Sequence, residues 1–321
     1  MPLVYSSYRA PSMFLSRHIE TIYPVLFRKI TNITYQRERL ELKDGDFLDL
    51  DWIKKGAKKL LILSHGLEGD TSSNYLKGMA RAASNAGYDV LAWNYRGCSG
   101  EINRNFRFYH SGESADLHLV IQEIFSKMTY ESIGLVGFSI GGNITLKYLG
   151  EQQNNLFPFI KAAVTFSVPC DLKAGATHMA GRQSKFYMNR FLHNLHKKVL
   201  AKSIQFPDLI NDKDFYKIKN FIDFDERYTA PIHGFKDAND YYTKCSSVNY
   251  LSGIKIPTLL VNALNDPFLT EKCFPFEQAK SNSCLFLETP EHGGHCGFYE
   301  YHKNGNYWSD NRTLAFFEQY L

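Results

Sequence analysis

A serine lies between two glycines in the motif GFSIG at residues 137–141. The residues before it, 132–138, form an apolar run of strand length, and residues 140–151 space their apolar side chains as a helix does. A strand that turns this sharply into a helix strains the backbone of the serine, so the positions two residues away must be small. The motif therefore predicts a strand, a tight turn at Ser139 and a helix, with the serine as a nucleophile. The alternative is a serine that only caps the helix.

Strand and helix patterns alternate on both sides of this turn. A hairpin is predicted over 38–54, strands over 59–66, 88–97 and 159–168, and helices over 74–87 and 113–127. After a long interruption, strands are predicted within 255–267 and 284–295, and a helix over 308–321. Such alternation indicates an α/β fold, with a mostly parallel central sheet and helices on both faces.

The interruption covers residues 171–250, which are polar, aromatic and basic, with a helical pattern over 186–202 but no strong strand. We expect a core of residues 1–170 and 251–321 and an inserted helical segment, which we call the cap. The cap should lie over the carboxyl edge of the sheet, because open α/β sheets bind their ligands there.

Composition excludes several classes of protein. A formal net charge of +4 is too small to favour nucleic-acid binding. Residues 1–20 lack the apolar segment of a signal peptide, and no stretch reaches the length of a membrane span, so a soluble, cytoplasmic protein is expected. Six cysteines occur without a CxxC pair, which predicts neither a zinc cluster nor a disulfide framework. We expect no metal and no cofactor.

An acid and a histidine follow the serine in the order Ser, Asp, His. Asp266 comes directly after a predicted strand, and His295 comes after the last predicted strand. A serine hydroxyl attacks well only when an imidazole accepts its proton, and that imidazole needs a carboxylate to orient it. Ser139, His295 and Asp266 are therefore the candidate nucleophile, base and acid.

The residues leave alternatives for two of these positions. His292 lies three residues before His295 in a glycine-containing turn that either histidine could use, or it could be a loop residue in solvent. A metal site formed by the two histidines has no supporting carboxylate or cysteine cluster. Asp171, Asp237 and Asp240 are rivals for the acid, although Asp171 could also cap a helix.

A nucleophilic serine also requires hydrogen-bond donors for the oxyanion of the tetrahedral intermediate. One donor should be the backbone N–H of Ile140, the residue after the nucleophile. The other should come from the segment SHGLEG at 64–69, from the N–H of Leu67. The alternative interpretation of that segment is a glycine-rich exit from a strand.

Several segments together resemble the YheT-like α/β-hydrolases, also called α/β-hydrolase family 4. They are HGLEG at 65–69, GFSIGGN at 137–143, GGHCGF at 293–298, RHIETIYP at 17–24 and the stretch from NYRGCSGE to YHSGE within 94–117. The family includes bacterial esterases, mammalian α/β-hydrolase-domain proteins 1 and 3 and fungal medium-chain ethanol acyltransferases. The resemblance implies the α/β-hydrolase fold and favours His295 over His292.

The resemblance gives no physical role for His18, Arg96 or Tyr109. Arg96 could support the oxyanion loop through a salt bridge, or it could be a surface arginine. Cap residues 173–220 align with no motif of the family.

Together these patterns predict a serine hydrolase that cleaves carboxylic esters through an acyl-enzyme, with a small-molecule acyl ester as its substrate. Three alternatives stay open: an acyltransferase, a lipid or thioester hydrolase with the same triad, and a non-catalytic ligand-binding protein on this fold. Enzymes of this fold that need a carboxylate at the turn are excluded by Ser139.

The cap carries ten Lys or Arg against three Asp between residues 173 and 220. Apolar side chains are interleaved with these charges at helical spacing over 186–200. One interpretation is a solvated helical face. The alternative hypothesis assigns a function to the cap: it forms an apolar pocket for the acyl chain, and its basic rim attracts anionic or membrane-borne substrates.

Overall fold

The computed structural model describes residues 3–14, 16–127 and 130–321. Within these residues, nine strands form one sheet. The strands are β1 (Leu3–Val4), β2 (Gln36–Glu41), β3 (Phe47–Ile53), β4 (Lys59–Ser64), β5 (Asp89–Trp93), β6 (Ser132–Phe138), β7 (Ile160–Phe166), β8 (Thr258–Val261) and β9 (Leu285–Glu288). The α-helices are α1 (Arg17–Phe27), α2 (Asn74–Asn85), α3 (Ser114–Lys127), α4 (Ile140–Gln152), α5 (Leu172–Met179), α6 (Lys185–Gln205), α7 (Phe221–Phe224), α8 (Ala230–Ile232), α9 (Ala238–Cys245), α10 (Phe276–Ser281) and α11 (Trp308–Phe317).

The strand order is β1-β9-β8-β7-β6-β4-β5-β3-β2. The hairpin β2–β3 is antiparallel and joins the sheet through an antiparallel β3–β5 pair, whereas the strands from β5 to β1 are all parallel. The predicted hairpin and the mostly parallel sheet are therefore confirmed.

Two apolar layers lie on opposite faces of the sheet, because successive side chains of a strand point to opposite sides. Leu60 and Ile62 of β4 belong to the layer that includes α3 and α4. Leu61 and Leu63 belong to the layer that includes α2 and α11. Helices cover both faces, which confirms the predicted fold class. Because the strands from β5 to β1 are parallel, the loops at their carboxyl ends lie at one edge of the sheet.

Between β7 and β8 the chain forms α5 to α9 and no strand among the described residues. These helices bury a separate apolar cluster, in which Leu192, Leu195 and Val199 of α6 pack against Phe215 and Phe224. The inserted helical cap is thus present. Its treatment as a domain with limits at 171 and 250 stays a prediction.

Some elements were not predicted from the residues. β1 and α1 lie before the hairpin, where the hydrophobic pattern predicts no element and residues 17–24 carry a family motif. In the described part of the chain, no helix has both the length and the apolar character needed to cross a lipid bilayer.

Candidate active site

The turn at Ser139 joins β6 directly to α4. Ser139 has a φ of +54° and a ψ of −121°, a conformation that few side-chain-bearing residues adopt. A Cβ on Gly137 would lie 2.5 Å from the carbonyl oxygen of Gly141, and a Cβ on Gly141 would lie 2.5 Å from that of His65. Both positions therefore require glycine, and the two glycines permit the strain that presents the serine hydroxyl at the carboxyl end of the sheet.

The three side chains predicted as nucleophile, base and acid lie together. His295 Nε2 is 3.0 Å from Ser139 Oγ, and His295 Nδ1 is 2.9 Å from the nearer oxygen of Asp266. The Asp266 side chain is fully buried and that of His295 is 12% exposed. Asp266 also accepts a hydrogen bond from the N–H of Phe268, whose ring lies against the imidazole. This arrangement can pass a proton from Ser139 to His295.

The electrostatics of the pair favour the protonated imidazole. Burial opposes the charge on His295, but the adjacent Asp266 carboxylate outweighs burial and raises the pKa of His295 above its ordinary value. A base with a raised pKa accepts a proton more readily, provided that it is neutral when the reaction begins.

The loop after β4 leaves one backbone donor free beside Ser139. The N–H of Gly66 donates to Tyr75 Oη at 2.8 Å, and that of Glu68 donates to Tyr109 Oη at 2.9 Å. Among the described residues, the N–H groups of Leu67 and Ile140 donate to no protein atom. Two donors are thus available for an oxyanion where the sequence places them.

A cavity of about 110 Å³ opens onto these groups. The core contributes Leu67, Ser139, Ile140 and His295 to its walls. The cap contributes mostly apolar side chains, among them Leu172, Met179, Phe191, Leu195 and Phe224. The cavity can therefore accommodate an apolar group next to the serine hydroxyl.

Comparison with known proteins identifies the family of the chain. Residues 59–301 match the family model described as the alpha/beta hydrolase fold. The chain is 37% identical to the putative esterase YheT of Escherichia coli (strain K12), over 89% of this chain and 85% of that protein. The chain belongs to the YheT-like alpha/beta hydrolases.

Two further comparisons fit this assignment. The chain is 29% identical to phospholipase ABHD3 of Mus musculus, over 84% of this chain and 67% of that protein. The solved structure of the esterase Pf2001 from Pyrococcus furiosus superposes with a TM-score of 0.62 at 18% identity, over 91% of this chain and 95% of that one, which shows a shared fold. The two relatives are named a putative esterase and a phospholipase, and these names support ester hydrolysis as the activity of the chain.

Helix α1 of this YheT-like hydrolase supports the loops that carry Asp266 and His295. The carboxylate of Glu20 is 2% exposed and accepts hydrogen bonds from the N–H of Gly293 at 2.6 Å and from Asn265 Nδ2 at 3.0 Å. Thr21 Oγ1 accepts one from the N–H of His295 at 2.9 Å. The motif RHIETIYP thus supplies two side chains that sequence reasoning missed.

The cap of the hydrolase is joined to the loop after β4 by a buried ion pair. Lys198 Nζ of α6 lies 2.9 Å from Glu68 Oε1, and both side chains are 7% exposed. Tyr109 Oη donates to the same oxygen at 2.8 Å while it accepts from the N–H of Glu68. Because Glu68 has a φ of +52°, these contacts stabilise an unusual conformation next to Leu67. This gives Tyr109 a physical role.

The rival acids and histidine lie in other environments. Asp171 accepts from the N–H of Ala174 and Asp237 from that of Asp240, so both cap helices. The side chain of His292 is 52% exposed, and its Nδ1 lies 3.0 Å from Glu20. His292 therefore faces solvent on one side and the buried carboxylate on the other.

Both interpretations of Arg96 were wrong. The side chain is 1% exposed, so it is no surface arginine, and it bonds to no residue of the oxyanion loop. Its guanidinium instead forms ion pairs with Asp44 and Asp46 of the hairpin turn and with Asp116 of α3. Asp44 and Asp46 lie 52 and 50 residues from Arg96, and Asp116 lies 20 residues from it, so the pattern gave no sign of the cluster.

The basic rim predicted for the cap of the hydrolase needs a correction. Eight of the ten basic residues are exposed, but Lys198 and Lys202 are buried. Lys202 Nζ donates to the carbonyl oxygens of Asn103 and Asn105, both at 2.5 Å. Lysines on a helix are usually solvated, and only partners distant in sequence bring these two inside.

One group of potential metal ligands occurs in the described part of the hydrolase. Nitrogen and oxygen atoms of His110, Glu113 and His233 lie within 4.8 Å of one another. Arg107 already donates to Glu113 at 2.9 Å, and His110 Nδ1 accepts from the N–H of Gly112. His110 also lines the cavity at Ser139, and the buried Nε2 of His233 has no hydrogen-bond partner among the described residues, so protein contacts satisfy the group only in part.

Proposed function

We propose that this chain is a serine hydrolase of carboxylic esters that acts through an acyl-enzyme. The observation that carries the proposal is the line of contacts from Ser139 Oγ to His295 and on to the buried Asp266, at 3.0 and 2.9 Å. A hydroxyl, an imidazole and a carboxylate in this order are the parts that acyl transfer requires.

In the first half of the reaction, Ser139 Oγ attacks the ester carbonyl carbon and its proton passes to His295 Nε2. The carbonyl oxygen becomes an oxyanion, which the N–H groups of Leu67 and Ile140 stabilise. Asp266 orients the imidazole and stabilises its positive charge. His295 then protonates the leaving alcohol, and the acyl group stays on Ser139.

In the second half, His295 takes a proton from water as the water oxygen attacks the acyl carbon. The bond from that carbon to Ser139 Oγ then breaks, His295 returns the proton to Oγ, and the carboxylic acid is released. An alcohol that replaced water would accept the acyl group instead and give acyl transfer. We propose a small-molecule acyl ester as the substrate, because the wall of the cavity is largely apolar and only a small part of it is polar.

We also propose that the outside of the cap contacts anionic lipid surfaces. Along the chain, exposed apolar side chains of α6 and the segment after it alternate with exposed basic residues; they include Phe186 (68% exposed), Ile204 (76%) and Leu209 (63%). Basic and apolar side chains together favour association with a lipid surface.

The decisive test is Ser139→Ala. We expect this variant to fold like the wild type, to lose labelling by a fluorophosphonate probe and to lose ester hydrolysis by several powers of ten. Ser281→Ala changes an exposed serine and should keep both properties. If Ser139→Ala kept more than about one per cent of the wild-type kcat, the proposal would be wrong.

A further inference from the structure

One carboxylate in the cavity has no part in the mechanism above. Asp225 begins a turn of π-helix, Asp225–Thr229, that follows α7 in the cap. It lines the same cavity as Ser139 and His295. Single π-helical turns occur frequently at functional sites. The position of Asp225 therefore calls for a chemical explanation.

The Asp225 carboxylate has two neutral partners. Thr229 Oγ1 donates to one oxygen and Tyr242 Oη to the other, both at 2.6 Å. No lysine, arginine or histidine of the described residues compensates its charge. Burial raises the pKa of Asp225 to about 6, although the two hydroxyls oppose that rise. The group is thus chiefly ionised at neutral pH.

An uncompensated carboxylate is costly in such a place. The lining of the cavity is mostly apolar, with Leu172, Phe221 and Phe224 among its residues. A wholly apolar occupant would exclude water from the charge and leave it only its two hydroxyl partners, which is unfavourable. Each carboxylate oxygen can accept a second hydrogen bond beyond the one it has. The favoured occupant is therefore a group that donates a hydrogen bond.

We propose that Asp225 forms a subsite for a hydrogen-bond donor of the substrate, a hydroxyl or an ammonium, while the ester carbonyl lies at Ser139. This inference rests on the proposed function and deepens it by naming a substrate class: esters that carry a donor away from the reacting carbonyl. Esters that end in a carboxylate should be rejected by charge repulsion.

The test compares kcat/KM for matched esters. One series contains p-nitrophenyl esters of hexanoic, 6-methoxyhexanoic, 6-hydroxyhexanoic, 6-aminohexanoic and adipic acid. A second series contains the 2-methoxyethyl, 2-hydroxyethyl and 2-aminoethyl esters of butyric acid. The methoxy compounds are polar but cannot donate. We expect a preference of about tenfold or more for donor over methoxy in the series whose donor reaches Asp225, since a hydrogen bond to a charged group contributes that much.

Two substitutions separate hydrogen bonding from charge. Asp225→Leu should abolish the preference for both donors. Asp225→Asn retains an acceptor oxygen without the charge, so it should lose the ammonium preference more than the hydroxyl preference. Asp208→Asn changes an exposed aspartate of the cap and should behave like the wild type. A donor preference that survives in Asp225→Leu would overturn the inference.

The outcomes distinguish this inference from the proposed function. If the wild type cleaves p-nitrophenyl butyrate but shows no donor preference in either series, the subsite is wrong and the esterase stands. If no ester is cleaved, the affinities of the protein for 1,6-hexanediol and for 1,6-dimethoxyhexane are compared by calorimetry. Equal affinities would refute the subsite. If the Asp225 variants do not fold, the wild-type preferences alone give the answer.

Discussion

Glu20 offers a sharp test of how the loops around Asp266 and His295 are supported. Its carboxylate accepts from the fully buried N–H of Gly293 and from the partly buried Asn265 side chain. A hydrogen bond to a charged group contributes about 1.5–3 kcal/mol, so Glu20→Ala should lower the free energy of unfolding by about 3–6 kcal/mol. Both hydrogen bonds end on Oε2, so the amide oxygen of Glu20→Gln can accept both without the charge, and because charge roughly doubles the strength of such bonds, about half of that should be lost.

The same change should slow catalysis. Without Glu20, the loop at Gly293 and the loop at Asn265 lose their common anchor, and a displacement of about 1 Å at reacting groups can cost about 100-fold in rate. We expect kcat of Glu20→Ala to fall by about that factor. KM should change little, because Glu20 lies outside the cavity lining.

Urea unfolding measures the first effect, and steady-state hydrolysis of p-nitrophenyl butyrate measures the second, at a temperature where both proteins are folded. His292→Ala is the control, because water can replace that half-exposed partner. Wild-type stability in Glu20→Ala would refute the anchoring. Lost stability with an unchanged kcat would show that Glu20 supports the fold but does not position the reacting groups.

Four further predictions concern the same site and the cap. His295→Ala should be nearly as damaging to kcat as Ser139→Ala, whereas His292→Ala should keep most activity; equal losses in a side-by-side assay would contradict the choice of base. Because Asp266 raises the pKa of His295, kcat/KM should fall at acid pH with a midpoint above 6.5, and Asp266→Asn should move that midpoint downward in a pH profile. The same raised pKa implies that the stabilisation by the pair is complete below pH 6.5 and is lost as the pH rises through the folded-state pKa, which pH-dependent unfolding of wild type and Asp266→Asn would reveal. Finally, between about 20 and 300 mM salt, kcat/KM for an anionic lipid ester should fall more than for a neutral short ester; equal changes would mean that the basic surface does not attract substrate.

Local patterns were sufficient for most of the fold. The turn at Ser139 is encoded within a few residues by two glycines, a preceding apolar run and a following helical pattern, so strand, turn and helix could all be predicted. The order of Asp266 and His295 after their strands also brought the right segments to one edge, although their catalytic roles stay predictions.

Contacts between distant segments could not be predicted in this way. Glu20 lies 273 residues from Gly293, and nothing in the periodicity of α1 distinguishes it from a surface glutamate. Lys198 lies in a helix rich in basic residues. It is buried because its Nζ donates hydrogen bonds to Glu68 and Cys98, which are distant in sequence. A charged side chain is buried only where a partner compensates its charge, and a single sequence does not identify that partner.

The ion pair between Lys198 and Glu68 has a consequence for protein engineering. Exchanging caps between related enzymes is an obvious way to alter specificity, yet a foreign cap without a lysine at this position would leave the Glu68 carboxylate buried and unpaired. Breaking a buried pair by removing one partner costs about 3–5 kcal/mol. A chimaera would therefore need a cap that carries a lysine at this position, or substitutions of Glu68 and Tyr109 that remove the unpaired charge. Only then could the substrate specificity of its new pocket be measured.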